Sequence, residues 1–394
     1  MKVLHVNDYA WAGGCEVLMN ETIAALNERG LTAEMFTADE VVNYRRTPLS
    51  YIDSCRCRRA LNRRLEAFDP DVVHLHNFYH RLSPGILATL KKWRQARRAC
   101  GLPAQVVMTA HDHHLICPNS GMLSYKGRKI RPVPPAHLDR LWRILITRWD
   151  HRSELHSMLK IAQHVWNYRL LKRQRTIDLV ICPSRYLQDL MRRFDTLFLP
   201  HPTPQVDAGE ARHDDELRLV FAGRVEPEKG LGLFLRDLPA EFSGSLEVIG
   251  DGSSLPACRA ICRRTGLDNR VRFLGALPRA EAIARIAAAH VLLLPSLCPE
   301  NYPMSLLEAL ACSTNILVSD LGGAREIVRD SGVGFVFTPA NRGSIASALN
   351  KVRRRFEDHT LNDFDVSAFL QQRSRDAYVD GLLHAYGLPD GDPA

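Results

Sequence analysis

The chain has 394 residues, of which 45% are hydrophobic, so it can bury a large core and its length predicts two domains. No apolar run approaches the roughly 20 residues that a membrane span needs, and the first strand starts at Lys2 without a signal-peptide layout, so we expect a cytosolic protein. The formal charge of +8 is uneven, because residues 1–197 carry 31 Lys and Arg against 18 Asp and Glu, whereas the rest carries 21 against 26. The basic first half predicts an anionic partner: a membrane surface, an acidic acceptor or nucleic acid. Ten cysteines without Cys-x-x-Cys spacing favour free thiols over disulfides or a zinc cage.

The first half alternates apolar strands with helical segments, which predicts an α/β domain. Its predicted strands cover residues 3–6, 33–37, 71–76, 105–110 and 178–182. The first strand runs into Gly13 and Gly14 and then into a helix that ends near Gly30. This order lets the backbone approach a ligand at the carboxyl end of a parallel strand, but a tight turn explains two glycines equally well.

Histidines follow or end two of these strands. His74 and His76 share one strand face, and strand-end packing or substrate contact is favoured over a metal site because no further ligands lie nearby in sequence. His111 stands at the carboxyl end of the fourth strand, well placed for a ligand, and Asp112 can orient its imidazole. A metal is disfavoured here too, since at most His111 and His113 would point the same way.

Residues 128–175 depart from the strand and helix alternation. They carry twelve Lys and Arg, three Asp and Glu, and Trp142, Trp149 and Trp166. The part over 138–175 is predicted to be a long basic helix or a helix pair. Two interpretations stay open: a surface for an anionic membrane, or a covering helix pair with core tryptophans and solvated arginines.

Residues 198–215 are predicted to form a linker, and a second alternation of strands and helices starts at Leu217. Arg224 and Lys229 lie on a glycine-bearing loop after a strand, where a guanidinium fork and an ammonium suit a diphosphate. Gly250 and Asp251 follow the next strand, so these loops are expected at one sheet edge. The last segment, 366–386, is helical in pattern and long enough to pack back on the first domain.

The stretch from Pro299 to Leu310 follows a buried strand and opens a helix, with Pro303 suited to the first helical position. The first amides of such a helix are a natural seat for phosphate. Glu300 precedes the helix and Glu308 lies inside it, so both acids flank the seat. Since carboxylates repel phosphate, their expected partners are hydroxyls, which a nucleotide sugar presents on both sides of its diphosphate.

Together these residues resemble the retaining glycosyltransferases of family 4, which have the GT-B architecture of two facing Rossmann-like domains with a cleft between them. The resemblance implies a first domain over 1–197, joined by the C-terminal helix in 366–394, and a donor domain over 198–365. The matching motifs, in chain order, are Gly13-Gly14-Cys15-Glu16, His111-Asp112, Cys117-Pro118-Asn119, Gly223-Arg224, Lys229-Gly230, Gly250-Asp251-Gly252, Glu300 to Glu308, and Gly322-Gly323 with Glu326.

The resemblance also implies roles for individual residues. Arg224 and Lys229 would bind the donor diphosphate, Glu308 the ribose hydroxyls and Glu300 the hydroxyls of the transferred sugar. The donor-binding set is Gly14, Arg224, Lys229, Gly250, Asp251, Met304, Ser305 and Glu308, in which the amides around Met304 and Ser305 would hold the distal phosphate.

His111, the other catalytic candidate besides Glu300, would touch the donor sugar near the reacting carbon. In the front-face reaction that the family is thought to use, a donor phosphate oxygen takes the acceptor proton, so Glu300 would position the sugar and not attack it. The basic pair and the helix dipole would neutralise the leaving group without a metal. Asn301 and Tyr302 replace the family's usual small residues and are expected to reshape the sugar pocket.

The sequence thus predicts a retaining, metal-independent hexosyltransferase without cofactor that uses a nucleoside-diphosphate sugar, a UDP-sugar in preference to a GDP-sugar. The expected acceptor is a glycan, a small molecule or a lipid-linked or otherwise anionic hydroxyl compound, as in cell-surface glycan or polysaccharide biosynthesis at the inner face of the membrane. A nucleotide-sugar 2-epimerase of the same fold and a non-catalytic sugar-nucleotide sensor are the alternatives. Nucleic acid is not an expected partner, because the second half is acidic.

Overall fold

The computed structural model describes residues 1–11, 13–127, 129–206, 216–239 and 242–388. The chain forms two compact units, one made of Met1–His201 with the segment from Arg375, the other of Pro202–Ser374. Each unit contains a parallel six-stranded sheet, which confirms the predicted α/β class. Of the predicted linker, residues 207–215 lie outside the described residues.

In the described part of the chain the first unit has eight strands, of which two form a separate antiparallel hairpin. The strands are β1 (Lys2–Asn7), β2 (Thr32–Thr37), β3 (Val72–Leu75), β4 (Gln105–Thr109), β5 (Leu123–Lys126), β6 (Lys129–Pro132), β7 (Leu179–Cys182) and β8 (Thr196–Phe198). The main sheet has the order β2-β1-β3-β4-β7-β8 with parallel neighbours, and β5 pairs with β6. All four residues of β3 are buried, as expected for a parallel strand with helices on both faces.

Helices connect these strands. They are α1 (Gly14–Glu28), α2 (Pro48–Ile52), α3 (Cys55–Phe68), α4 (Ile86–Ala99), α5 (Pro135–Leu138), α6 (Leu141–Ile146), α7 (Glu154–His164) and α8 (Arg185–Leu190). Helix α7 continues directly into a π-helix over Val165–Leu170. Serine side chains cap three of them, since Ser54, Ser153 and Ser184 each accept a hydrogen bond from the backbone amide three residues later.

One local prediction in this unit was wrong. The segment 138–175 is not one long helix or a simple pair, because Trp149 lies in the loop between α6 and α7 and is fully buried there. Burial of this indole breaks the segment into short pieces.

The second unit repeats the strand and helix alternation. Its strands are β9 (Arg218–Ala222), β10 (Ser245–Ile249), β11 (Val271–Gly275), β12 (Val291–Leu294), β13 (Asn315–Ser319) and β14 (Phe335–Phe337). They are parallel and have the order β11-β10-β9-β12-β13-β14. Its helices are α9 (Leu231–Asp237), α10 (Leu255–Thr265), α11 (Arg279–Ala288), α12 (Met304–Ala311), α13 (Gly322–Ser331), α14 (Arg342–Glu357) and α15 (Ser367–Gln371).

The predicted helix over 366–386 is two helices, α15 and α16 (Arg375–Ala385). The break coincides with Arg373, which is buried and whose Nε donates to the Tyr302 hydroxyl at 2.7 Å. Helix α16 belongs to the first unit, where the hydroxyl of Tyr386 lies 2.6 Å from His74 Nδ1. None of the described helices combines the length and the apolar composition that crossing a bilayer requires.

Candidate active site

Four loops of the second unit follow the carboxyl ends of β9, β10, β12 and β13. These strands are parallel neighbours, so their loops lie along one edge of the sheet. Backbone hydrogen bonds join the loops: the Leu297 amide donates to Glu228 O at 2.8 Å, and the Gly323 amide donates to Glu300 O at 2.6 Å. The loops that carry the predicted donor residues therefore form one connected rim.

Lys229 and Glu300 form an ion pair on this rim. Lys229 Nζ lies 2.7 Å from Glu300 Oε1, and the two side chains are only 19% and 15% exposed. The Ser296 hydroxyl also donates to Glu300 Oε1. Burial alone would raise the pKa of Glu300, but the ammonium of Lys229 and the hydrogen bonds from Lys229 and Ser296 outweigh burial and hold this pKa below its usual range. Burial lowers the pKa of Lys229, but the neighbouring Glu300 carboxylate raises it by more, so the net shift is upward. Both groups are therefore charged at neutral pH.

Arg224 lies on the same loop as Lys229 but reaches into solvent. Its side chain is 70% exposed, and its guanidinium is 3.8 Å from the Glu228 carboxylate. Its positive charge contributes to the lowered pKa of Glu300 and opposes protonation of Lys229. The structure thus brings Arg224, Lys229 and Glu300 within electrostatic reach of one another.

Helix α12 opens four residues after Glu300. Its N-cap residue is Pro303, which offers no side-chain cap, so Met304 and not Pro303 is the first helical residue. The amide of Leu306 bonds to Pro303 O at 3.1 Å. The amides of Met304 and Ser305 come before this bond, and the geometry of a helix start leaves them without intrahelical acceptors. The helix dipole adds partial positive charge at the same place.

Glu308 lies one turn further along α12 and contacts a residue that sequence reasoning missed. Arg279, the first residue of α11, places a guanidinium nitrogen 3.3 Å from Glu308 Oε1, and the Glu308 side chain is 17% exposed. Pro278, directly before a helical pattern, signals that a helix starts at Arg279. The sequence does not show that this helix, α11, lies beside α12, so it could not reveal the contact with Glu308.

Gly250 and Asp251 shape the loop after β10. Gly250 has φ +127°, and a Cβ there would come 1.9 Å from Gly223 O, so only glycine fits where these two loops touch. Asp251 is exposed, and its carboxylate accepts a hydrogen bond from the Gly252 amide at 2.7 Å. A donor contact for either residue remains a prediction.

Asn301 and Tyr302, the two departures from the family pattern, are both buried. The Tyr302 ring belongs to the same hydrophobic cluster as Phe369, and its hydroxyl accepts a hydrogen bond from Arg373. Tyr302 is therefore a packing residue that ties the loop after β12 to α15.

Histidines in the first unit form a hydrogen-bonded chain at the carboxyl edge of its sheet. His5 Nδ1 and His76 Nε2 are 2.9 Å apart, and His76 Nδ1 and His111 Nε2 are 3.0 Å apart. The His111 ring also stacks on His201, with ring centroids separated by 5.4 Å. Burial lowers the pKa of His5 to about 3 and that of His111 to about 4. These imidazoles are neutral at neutral pH, so His111 offers hydrogen bonds and no charge.

The expectation that Asp112 orients His111 was wrong. Asp112 turns to His114 instead, with its Oδ2 at 2.6 Å from His114 Nδ1. Burial would raise the pKa of Asp112, but the interactions with His114 outweigh it and lower the pKa to about 2. His113 hydrogen-bonds to Ser120 O at 2.7 Å, so it does not join His111 in a common site.

His74 and His76 lack further ligands nearby in the sequence, but the fold brings other ligand side chains close to them. Among the described residues, two sets of three side chains place ligand atoms within 4.8 Å of one another: His5, His74 and His76, and Cys15, His76 and His111. Both ring nitrogens of His74 lie within hydrogen-bonding distance of hydroxyls, those of Tyr386 and Thr109. The first set therefore belongs to a network in which imidazoles already bond to one another, and the metal-independent reaction stays a prediction.

Gly14 starts α1 after β1 and follows Gly13, the N-cap residue. Ala12, in the same loop, lies outside the described residues. Glu16 in the first turn is buried and accepts a hydrogen bond from Asn7 Nδ2 at 2.9 Å, which ties the helix start to the strand end. The proposed approach of the Gly14 backbone to the donor stays a prediction.

Asp8 was missed as an organising residue of the first unit. Its carboxylate is fully buried and accepts the backbone amides of His80, Arg81 and Leu82 at 2.7 to 2.9 Å. Burial raises its pKa to about 6, although the three amides work against the rise. Its position directly after β1 was a signal, since polar residues at strand ends face the functional edge.

Two known protein families match the sequence. The family described as "Glycosyltransferase Family 4" matches residues 12–197, and "Glycosyl transferases group 1" matches residues 204–358. A phosphatidyl-myo-inositol mannosyltransferase of Mycobacterium leprae is 31% identical over 137 residues, which cover 33% of this chain and 36% of that protein. The chain aligns with about a third of the length of the first curated relatives.

Solved structures match over almost the whole chain. Sucrose-phosphate synthase of Thermosynechococcus elongatus has a TM-score of 0.72 at 16% identity and covers 98% of both chains. The Anabaena protein HepE in complex with UDP-glucose has a TM-score of 0.64 at 16% identity, again with 98% of both chains covered. At this identity the likeness establishes the fold. The two family matches fall in the two units, and the chain therefore belongs to glycosyltransferase family 4, with the GT-B fold.

Proposed function

We propose that this glycosyltransferase transfers a sugar from a nucleoside-diphosphate sugar, a UDP-sugar in preference to a GDP-sugar, to an acceptor hydroxyl with retention and without a metal. The observation that carries the proposal is the rim of the second unit, where the Lys229–Glu300 pair, Arg224 and the start of α12 occupy connected loops. Cations, helix amides and carboxylates in this arrangement match a diphosphate flanked by two sugars.

Each group on the rim has a chemical task in this proposal. Arg224 and Lys229 bind the diphosphate, and the amides of Met304 and Ser305 bind its distal phosphate. The same groups stabilise the negative charge that grows on the leaving diphosphate as its bond to the sugar breaks. Glu300 accepts hydrogen bonds from hydroxyls of the transferred sugar, while Lys229 and Ser296 hold its carboxylate in place.

Glu308 binds the nucleoside end of the donor by accepting hydrogen bonds from the ribose hydroxyls. Its contact with Arg279 fixes the position of the carboxylate on α12. Gly250 and Asp251 lie on the loop after β10, where Gly250 lets this loop approach the Gly223 backbone, and we assign both residues to the donor site. The complex of HepE with UDP-glucose, a neighbour in fold, supports the choice of a uridine nucleotide.

The reaction forms a bond between the acceptor oxygen and the anomeric carbon on the face from which the diphosphate departs. The bond from that carbon to the diphosphate oxygen breaks, and the acceptor proton moves to a diphosphate oxygen. No side chain of the protein has to act as base in this scheme. His111 contributes as a neutral hydrogen-bonding group near the reacting carbon, consistent with its pKa of about 4.

The acceptor belongs to the basic first unit in this proposal. An excess of Lys and Arg in residues 1–197 favours an anionic or lipid-linked hydroxyl compound at the inner face of the membrane. A relative named for mannosyl transfer to phosphatidyl-myo-inositol supports a lipid acceptor. Cell-surface glycan or glycoconjugate biosynthesis is the corresponding process.

The test is to incubate the protein with UDP-sugars and GDP-sugars, in the presence of a chelator, with and without candidate acceptors. Acceptor-dependent release of the nucleoside diphosphate, with a product whose anomeric configuration matches the donor, is the expected result. A 2-epimerase would convert the donor without acceptor, and a sensor would bind the donor and leave it intact. Either outcome, or a strict requirement for a divalent metal, contradicts the proposal.

A further inference from the structure

Exposed large hydrophobic side chains concentrate in one segment of the first unit. Fourteen such side chains are found among the described residues, and nine of them lie between residues 141 and 171. We call these nine the 141–171 surface: Leu141, Trp142, Leu145, Ile146, Leu155, Met158, Trp166, Leu170 and Leu171. Such a concentration marks an interaction surface, since scattered exposed hydrophobics need no explanation but a cluster does.

The helix formed by α7 and its π-helical continuation exposes its apolar face. Leu155, Met158, Trp166 and Leu170 follow one another at spacings of three, eight and four residues, which places them on one face. All four are exposed, with Leu155 at 63% and Leu170 at 62%. The helix therefore presents an apolar stripe along its length.

Polar residues fix the opposite face of this helix to the unit. Gln163 Nε2 donates to the carbonyl oxygens of Tyr51 and Tyr79 at 2.6 and 2.8 Å. The Gln163 side chain and these two hydrogen bonds are buried. Asn167 Nδ2 donates to Ile52 O at 2.9 Å. These hydrogen bonds prevent the helix from rotating its apolar stripe inward, because rotation would leave the side-chain amides and the backbone carbonyls without partners.

Trp149 holds the second apolar helix, α6, in a fixed relation to the first. Its indole Nε1 donates to Ile144 O of α6 at 2.9 Å, and its backbone amide donates to the Ser157 hydroxyl of α7 at 2.8 Å. Ile144 and Trp149 are fully buried, whereas Trp142 and Ile146 of the same helix are 55% and 72% exposed. The two outward apolar faces are thus parts of one rigid piece.

Positive charge surrounds the 141–171 surface. Arg140, Arg143, Lys172 and Arg175 have no carboxylate within ion-pair distance in the described part of the chain. Residues 128–175 carry twelve Lys and Arg against three Asp and Glu. Exposed aromatic and aliphatic side chains with basic neighbours are the composition of helices that lie in the headgroup region of anionic bilayers.

A charged cavity of about 890 Å³ lies beside this segment. Arg169, which lies between Trp166 and Leu170 in the chain, lines it; the other charged side chains of the lining are Arg175, Arg192, Arg193, Asp139, Asp189 and Asp195. Of these, Arg193 is paired with Asp139 at 2.8 Å, so the arginines exceed the aspartates by one. Arg169 donates to the carbonyl oxygen of Leu138. Burial and the nearby Arg193 lower the pKa of Arg169. Guanidinium groups at this edge suit the phosphates of lipid headgroups.

We infer that the 141–171 surface docks the protein on a bilayer that contains anionic lipids, with the apolar side chains in the headgroup and acyl boundary and the arginines on lipid phosphates. A second copy of the chain is the less favourable occupant, because pairing this surface with itself would oppose two strongly basic segments. The inference deepens the proposed function by naming the surface that brings a lipid-linked acceptor within reach, but docking requires neither donor nor acceptor.

The experiment is co-sedimentation of the full chain with vesicles of phosphatidylcholine alone or with about one third phosphatidylglycerol, at low salt and at about 0.5 M salt. Binding to the anionic vesicles that weakens at high salt is expected. The Ile146→Glu/Leu170→Glu variant should bind at least about tenfold more weakly, since two exposed apolar contacts become charged. Leu102→Glu, at a 48% exposed leucine outside the surface, is the matched control and should bind like the wild type.

A charge variant provides a second, independent arm. Arg143→Glu/Lys172→Glu should lower the partition onto anionic vesicles by well over tenfold, since each basic residue near the surface contributes about a fivefold factor. Circular dichroism melts show whether each variant is folded; Ile146, Leu170 and Lys172 are exposed, and Arg143 is half-buried. Wild-type binding that is absent at low salt, or unchanged in both variants, overturns the inference, as does a dimer that both variants abolish without any vesicle binding.

The failures of the two proposals are distinguishable. Vesicle binding without sugar transfer removes the proposed enzymatic function and leaves docking in place. Transfer to a soluble acceptor by a protein that ignores anionic vesicles removes docking and leaves the enzyme.

Discussion

The buried Lys229–Glu300 pair gives a quantitative prediction. Replacing Lys229 with Met removes the ammonium and leaves the Glu300 carboxylate, 15% exposed, with the Ser296 hydroxyl and the Cys298 thiol as neutral hydrogen-bond donors. At 2.7 Å and an effective dielectric constant of about 20, Coulomb's law gives about 6 kcal/mol of attraction, most of which offsets the cost of burying two charges. Breaking a buried pair on one side typically costs 3–5 kcal/mol, and because Ser296 still donates to Glu300 we expect about 3 kcal/mol of destabilisation.

Removing both charges should recover most of this loss. In Lys229→Met/Glu300→Gln no charge is left buried, so its free energy of unfolding should lie within about 1 kcal/mol of the wild type. Urea unfolding of the wild type, both single variants and the double variant at pH 7 completes the double-mutant cycle.

The folded pKa of Glu300 lies below its unfolded value, so its contribution to stability is complete above about pH 5 and is lost as the pH falls through the folded pKa.

A coupling energy of at least about 2 kcal/mol between the two positions is the predicted result. Single variants that each unfold like the wild type, or additive effects in the double variant, would refute the reasoning that the pair is desolvated and mutually dependent.

Three further predictions concern the site and its scaffold. Glu308→Ala should weaken nucleotide binding measured by calorimetry, whereas Glu300→Ala should mainly lower kcat with little change in nucleotide affinity; the reverse pattern would exchange their roles. Gly323→Ala should destabilise the fold by about 2 kcal/mol or more, because its Cβ would lie 1.7 Å from Asn301 O, while Gly343→Ala, whose Cβ would make an ordinary contact with Asn341 Oδ1 at 3.6 Å, should be neutral or slightly stabilising in the same thermal melts. The buried histidines should make stability fall as the pH drops from about 6.5 towards 4, by on the order of 1 kcal/mol per pH unit for each, since the unfolded chain binds protons that the folded chain excludes; a urea midpoint unchanged between pH 7 and 5 would contradict this.

Sequence reasoning reached much of the donor site because that site follows a periodic scaffold. Parallel strands put the loops with Arg224, Lys229 and Glu300 at one edge, and strand periodicity predicted that edge. The partner of Glu308 was out of reach, since the contact with Arg279 depends on how α11 packs beside α12. Ser296 escaped notice for a similar reason, because the turn that brings its hydroxyl to Glu300 has no sequence signature.

The first unit was harder to predict from its sequence. His5, His76 and His111 come from three strands, and only the strand order β1-β3-β4 makes them neighbours. Asp112 looked like the natural partner of His111 by adjacency, yet a turn directs it to His114. In 138–175 the composition revealed an unusual surface, but the burial of Trp149 decides which residues face outward.

The most direct test of the central claim is calorimetric titration of UDP in the presence of a chelator into the wild type and into Lys229→Ala. If Arg224, Lys229 and the start of α12 hold the diphosphate together, the wild type binds without metal. The variant then loses at least about tenfold in affinity, the equivalent of one charge-assisted contact of about 1.4 kcal/mol. Equal affinity of the two proteins for UDP would contradict the account.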